Sequence, residues 1–240
     1  MGMPKLWASA SGYAFKAWNG SFYPAKMAPE SMLAWYAERL PTVEINHSFY
    51  RMPKASVLEH WAQVTPAAFR FAIKASRRIT HQSRIAADTS AEPVAYLYKN
   101  LATLGAKLGP VLFQLPPFLK KDLPRLRDFL QLLPAGHRAT FEFRHDSWYS
   151  DEVYALLQAA GASLCLSERE DHAAPPLVET TSWGYLRLRL ESYSQADLQA
   201  WTQRLAATRW DEVHVYFMHE PTAPAYAAAL LALAAASPAP

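Results

Sequence analysis

Short apolar runs alternate with longer amphipathic ones from one end of the chain to the other. The short runs occupy 6–9, 42–46, 69–74, 110–114, 138–143, 162–167, 184–190 and 212–217, most of them bounded by turn or polar residues. Helix-patterned runs at 30–39, 55–63, 93–107, 123–133, 152–160, 195–206 and 223–236 fill most of the gaps. Eight strands alternating with seven or eight helices predict an α/β fold of the (β/α)8 TIM-barrel type, one domain over 1–240. The length of 240 residues is close to the roughly 250 typical of such barrels. A doubly wound open sheet is the alternative. It normally carries a glycine-rich ligand loop, whereas this chain has 8 glycines and neither G-x-G-x-x-G nor G-x-x-x-x-G-K-[ST]. A bound anion is therefore expected on side chains rather than on a backbone cradle.

Local signals place some boundaries. Lys107-Leu108-Gly109 and Ala160-Gly161 read as helix stops, and Ser194 with Asp197 as the start of the helix at 195–206. The stretch 168–182, with Pro175 and Pro176, reads as irregular, and 76–92 as a long loop. The single cysteine, Cys165, excludes an intramolecular disulfide and zinc-finger spacing. Residues 1–18 lack a continuous apolar core, and the alanine-rich stretch 225–236 is too short to span a bilayer. These features lead to the expectation of a cytoplasmic protein with no membrane partner. A formal charge of +3 argues little for nucleic-acid binding.

Barrel active sites lie at the C-terminal ends of the strands, and strand parity decides which residues share a face. Glu44 and Asn46 share one, Glu142 and Arg144 another, Arg187 and Arg189 a third. Lys74 and Gln114 end their strands, and Tyr216 lies on the last strand. Four cations (Lys74, Arg144, Arg187, Arg189) against two carboxylates (Glu44, Glu142) leave +2 at the expected mouth. That charge suits a carboxylate- or phosphate-bearing ligand. The competing reading is a self-satisfied ion-pair network, with Glu44 on Lys74 and Glu142 on an arginine of strand seven.

Several strings occur in fixed order: Trp18-Asn19-Gly20-Ser21-Phe22-Tyr23-Pro24, Glu44-Ile45-Asn46-His47-Ser48-Phe49-Tyr50-Arg51, Phe71-Ala72-Ile73-Lys74-Ala75, Phe113-Gln114-Leu115-Pro116-Pro117 and Glu142-Phe143-Arg144-His145-Asp146-Ser147-Trp148. Together they resemble the YecE-like family, domain of unknown function 72, over essentially the whole chain. The resemblance implies a TIM barrel but no established activity. The chain departs from the commoner family pattern at Arg187-Leu188-Arg189-Leu190, where many members read Arg-x-His-Gly. It departs again at Met218-His219-Glu220, where many read Asn-Asn-Asp.

Candidate catalytic residues are Glu142, His81, Lys74 and Glu44. The carboxylates are acid–base groups, His81 is a free imidazole in a basic loop, and Lys74 is an ion-pair or imine-forming amine. Candidate ligand contacts are Asn46, Tyr50, Arg51, Gln114, Arg144, His145, Trp148, Arg187, Arg189 and Tyr216, with Tyr13, Trp18 and Phe49 as further aromatic lining. A divalent metal on Glu142, His219 and Glu220 is the weaker option, because no H-x-H or H-E-x-x-H spacing supports it. The expected function is an enzyme acting on a small anionic substrate by acid–base chemistry. A nucleic-acid phosphodiesterase using Arg51, Arg77, Arg78 and Arg84 is one alternative, and a non-catalytic ligand-binding protein is another.

Overall fold

The computed structural model describes residues 2–168 and 175–236. Eight strands, β1 (Lys5–Ala10), β2 (Thr42–Ile45), β3 (Arg70–Lys74), β4 (Leu108–Gln114), β5 (Ala139–Glu142), β6 (Ser163–Ser167), β7 (Trp183–Leu188) and β8 (Glu212–Phe217), form one sheet. Every pairing is parallel, each strand lies beside its neighbour in sequence, and β1 pairs with β8. An isolated parallel bridge between Ser11 and Glu44 joins the β1 and β2 ends and nearly closes the ring. The strands alternate with α1 (Met32–Ala37), α2 (Ala55–Val64), α3 (Ala87–Leu101), α4 (Leu123–Leu130), α5 (Asp151–Ala159), α6 (Gln195–Ala206) and α7 (Ala223–Ala236). The fold is thus the expected TIM barrel. Among the described residues no α-helix follows β6, and 175–179 is irregular, as the two prolines require. No helix among them is long and apolar enough to cross a membrane.

Strand alternation sorts the core into two parts. Ala72, Leu112, Cys165, Trp183, Tyr185 and Tyr216 fill the barrel interior as a cluster of their own. Their strand neighbours, such as Phe71, Ile73, Val111, Phe113, Phe141, Leu186 and Val215, join the larger core between strands and helices. Cys165 is therefore a packing residue, and burial pushes its thiol well up. The floor of the barrel is closed by Glu212, which accepts from Trp7 Nε1 at 2.7 Å and pairs closely with Arg138.

Two local expectations change. Residues 76–92 are not a plain loop, because a π-helical turn (Arg78–Gln82) precedes α3, which begins at Ala87. Pro93 sits inside α3 rather than at its start. It has no N–H for the Thr89 carbonyl, and the Ser83 hydroxyl donates to that carbonyl instead at 3.0 Å. Gly109 is not a helix stop but part of β4, where a Cβ would lie 3.0 Å from the Phe71 carbonyl oxygen at the β3–β4 register shift. Gly161 does end α5 with φ +63°, and Ser194 and Asp197 form the capping box of α6.

Candidate active site at the barrel mouth

Arg187, in the upper part of β7, reaches across the barrel. Its Nη1 donates to Glu142 Oε2 at 2.6 Å, and its Nη2 to Glu44 Oε1 at 2.9 Å. Weaker contacts run from Nη1 to Gln114 at 3.4 Å and from Nη2 to Asn46 Oδ1 at 3.3 Å. Arg187 is 1% exposed and both carboxylates 0%, so the triad is fully desolvated. Charges this deep persist only where paired and hydrogen-bonded.

Glu44 has further partners. Its Oε1 accepts from Ser11 Oγ at 2.5 Å and its Oε2 from Tyr185 at 2.6 Å. Asn46 bonds Ser11 closely and reaches Glu44 at 3.3 Å. Burial alone would raise the Glu44 carboxyl. Arg187 and the Ser11 and Tyr185 hydroxyls outweigh it and bring it below its ordinary value.

Glu142 is held more firmly. Its Oε1 is in close ion-pair contact with Arg144 and lies 3.6 Å from Arg189, without a well-directed hydrogen bond from either. Burial again acts to raise the carboxyl, but Arg187, Arg144 and Arg189 together hold it at about 2. Both carboxylates are thus engaged by Arg187, and Glu142 by Arg144 and Arg189 as well.

Lys74, the last residue of β3, pairs with neither carboxylate, contrary to the ion pair expected for it. Arg187 occupies the facing oxygens of both. Among the described residues the Lys74 amine has no ion pair or hydrogen bond and lies 4.4 Å from the centre of the Phe49 ring. Burial first, then the like charge of Arg187, lowers it to about 8, with Glu142 and Glu44 acting the other way. His81 meets the same Phe49 ring edge-on at 5.0 Å, and its Nδ1 lies 2.9 Å from Thr80 Oγ1. Burial and the nearby lysine both lower the imidazole below its ordinary value.

Beside this cluster a cavity of about 830 Å³ opens over the β1 and β2 ends. Ser11 and Asn46 form its link to the charged triad. Tyr13, Phe15, Met52 and Trp61 line its apolar side, and Arg51 and Lys54 its basic rim, with no carboxylate in the lining. Gly12 makes the first turn of this wall at φ +112°, where a Cβ would lie 2.6 Å from the Phe15 ring.

Other expected contacts fall elsewhere. Tyr216 shares the interior face but sits a layer lower, buried, with its hydroxyl 2.9 Å from Thr42 Oγ1. Trp148 is buried in the wall, stacked on Phe143 at 4.7 Å and donating to the Leu119 carbonyl at 2.7 Å. Trp18 is likewise buried and donates to the Glu220 carbonyl at 2.6 Å. The His145 ring caps the turn Asp146–Trp148 by accepting from the Ser147 N–H at 3.1 Å. Tyr50 is 69% exposed. The weaker metal set does not assemble: His219 is engaged with Thr222 at 3.1 Å, Glu220 is exposed, and Glu142 is taken by arginines. Among the described residues no three His, Cys, Asp or Glu side chains come together as a metal site. Ser11 and Tyr185 were missed. Tyr185 was legible, since it shares parity with Arg187, whereas Ser11 lies past the end of β1 and is placed only by barrel closure.

Fold and site together define a TIM-barrel-like protein whose mouth is built on a buried Glu–Arg–Glu triad. The chain belongs to the DUF72 family, described as proteins of unknown function, whose model matches residues 7–239. It is 27% identical over 221 residues to the UPF0759 protein YunF of Bacillus subtilis, covering 84% of this chain and 75% of that one. It is 31% identical over 148 residues to the UPF0759 protein YecE of Escherichia coli, covering 59% of this chain and 54% of that one. Two crystal structures of DUF72 proteins share the fold. One, from Thermotoga maritima, has a TM-score of 0.74 at 22% identity, covering 95% of this chain and 97% of that one. The other, from Enterococcus faecalis, has a TM-score of 0.81 at 16% identity, covering 97% and 96%.

Proposed function

We propose that the barrel mouth binds a small carboxylate- or phosphate-bearing molecule and moves protons on it through Lys74 and His81. One observation carries this reading. Among the described residues, five of the six charges expected at the mouth close into a single network, while the Lys74 amine is left without a counter-ion. The network accounts for Glu44, Glu142, Arg144, Arg187 and Arg189, and Lys74 adds a further positive charge beside it. At neutral pH a lysine titrating at about 8 is largely protonated, and an imidazole below its ordinary value is largely neutral. The two groups therefore begin in complementary states, one an acid and one a base. The basic, apolar-walled cavity at Ser11 and Asn46 suits the remainder of such a ligand.

Calorimetric titration with phosphate, sulfate and lactate tests the reading. One site per chain is expected in the native protein, weakened at least tenfold in Lys74→Met, since a desolvated ionic contact contributes about 1.5–3 kcal/mol. No saturable heat with any of the three anions overturns it. A nucleic-acid role rests on exposed Arg51, Arg77, Arg78 and Arg84, of which Arg78 is already paired with Glu92 at 3.1 Å. Binding of a short single-stranded DNA at low salt, lost steeply as salt rises, would favour that role instead.

A further inference from the structure

We propose that Lys74 forms an imine, and that the mouth therefore takes a small carbonyl compound carrying a carboxylate or phosphate. The inference rests on the anion-binding reading above and names its substrate class.

Three features of the site support it. The amine is partly buried and, among the described residues, unneutralised, because Arg187 takes an oxygen of each carboxylate, and Arg144 and Arg189 lie close to Glu142. It sits over the Phe49 ring, 4.4 Å from its centre, which supplies no counter-ion. Its backbone is fixed from both sides: Ser48 Oγ donates to the Lys74 carbonyl at 2.7 Å, and the Ala75 N–H donates to the Leu112 carbonyl at 2.8 Å. Desolvation with like charge alongside is how a lysine becomes a nucleophile at neutral pH, and an amine titrating at about 8 is roughly one-tenth free base at pH 7. Arg189, 24% exposed and 3.6 Å from Glu142, is placed to meet the anionic group of the same ligand.

The step balances without an oxidant or reductant. The free amine attacks the carbonyl carbon and forms the C–N bond, and the carbonyl electron pair moves to oxygen. That oxygen takes up, through water, the proton that the Lys74 ammonium gave up on becoming the free amine, and the ammonium nitrogen of the adduct releases one to His81. The C–O bond then breaks with the hydroxyl leaving as water, its proton returned by His81, and a protonated imine remains. His81 meets the same Phe49 ring, which keeps the imidazole within the cluster.

The test is reductive trapping. The protein is incubated separately with pyruvate and with dihydroxyacetone phosphate, reduced with cyanoborohydride, and its peptides are mapped by mass spectrometry. The expected result is reduced adduct on Lys74 at least about tenfold above the exposed lysines, because its free-amine fraction is far larger than theirs at neutral pH. Lys74→Arg should abolish that adduct and keep sulfate binding. If the protein binds sulfate but neither probe labels Lys74 above the other lysines, the imine is refuted and the anion reading stands. If it binds neither sulfate nor a carbonyl probe, both fall.

Discussion

Replacing Arg187 with methionine removes the guanidinium that bridges Glu44 and Glu142 while keeping most of its apolar volume. The two carboxylates do not suffer equally. Glu142 still has Arg144 and Arg189, but Glu44 keeps only neutral partners: Ser11, Asn46 and Tyr185. Breaking a buried ion pair from one side costs roughly 3–5 kcal/mol. For a chain of this length such a loss lowers Tm by about 6–20 °C. The pH dependence fixes the mechanism. In the native protein the Glu142 contribution is fully present above about 4.5 and is lost as pH falls through about 2. In the variant, burial without the arginine raises Glu44 above its unfolded value, so the damage grows as pH rises from 4 to 7 and shrinks on acidification. Thermal melts followed by circular dichroism across that range measure both effects. Adding Glu44→Gln should recover more than half of the lost stability. A variant less than about 1 kcal/mol weaker, or equally weak at every pH, would refute the triad as a fully desolvated ion pair.

Two further changes probe the barrel below the mouth. Burial, reinforced by Arg138, lowers His214 to about 3, so the unfolded chain takes up a proton first and stability falls as pH drops from about 6.5 toward 3. His214→Phe should move the acid unfolding midpoint to lower pH with little change at pH 8, as read by fluorescence. An unshifted midpoint would show that this imidazole does not drive acid unfolding. Gly184→Ala places a Cβ within 2.5 Å of the Trp210 ring and should cost about 1–3 kcal/mol in urea denaturation. A neutral result would mean that Trp210 moves aside freely.

The interior face of the mouth was legible because strand side chains alternate with period two. Glu44, Lys74, Gln114, Glu142 and Arg187 all point where parity puts them. Parity does not say who pairs with whom. Arg187 is long enough to cross the barrel and take both carboxylates, which displaced the shorter-range pairing of Glu44 with Lys74. Nor does parity give height along the barrel axis, and so Tyr216 was read one layer too high. The aromatic and histidine residues after β5 carried no periodic signal to separate lining from wall. Trp148 went to the wall, and the His145 ring became a cap. The start of α3 was hidden by Pro93, whose usual place is a first turn, because its lost hydrogen bond is made good by Ser83, which lies before the helix begins.

The charged mouth is proposed to be an anion site and not merely an ion-pair network that closes the barrel. Crystals soaked in selenate, a sulfate analogue with an anomalous signal, test it most directly. An anomalous peak within hydrogen-bond distance of the Lys74 amine and on the Arg189 side of the mouth is the expected result, absent in Lys74→Met. Selenate found only on surface lysines and arginines, with the Lys74 amine solvated, would contradict the account.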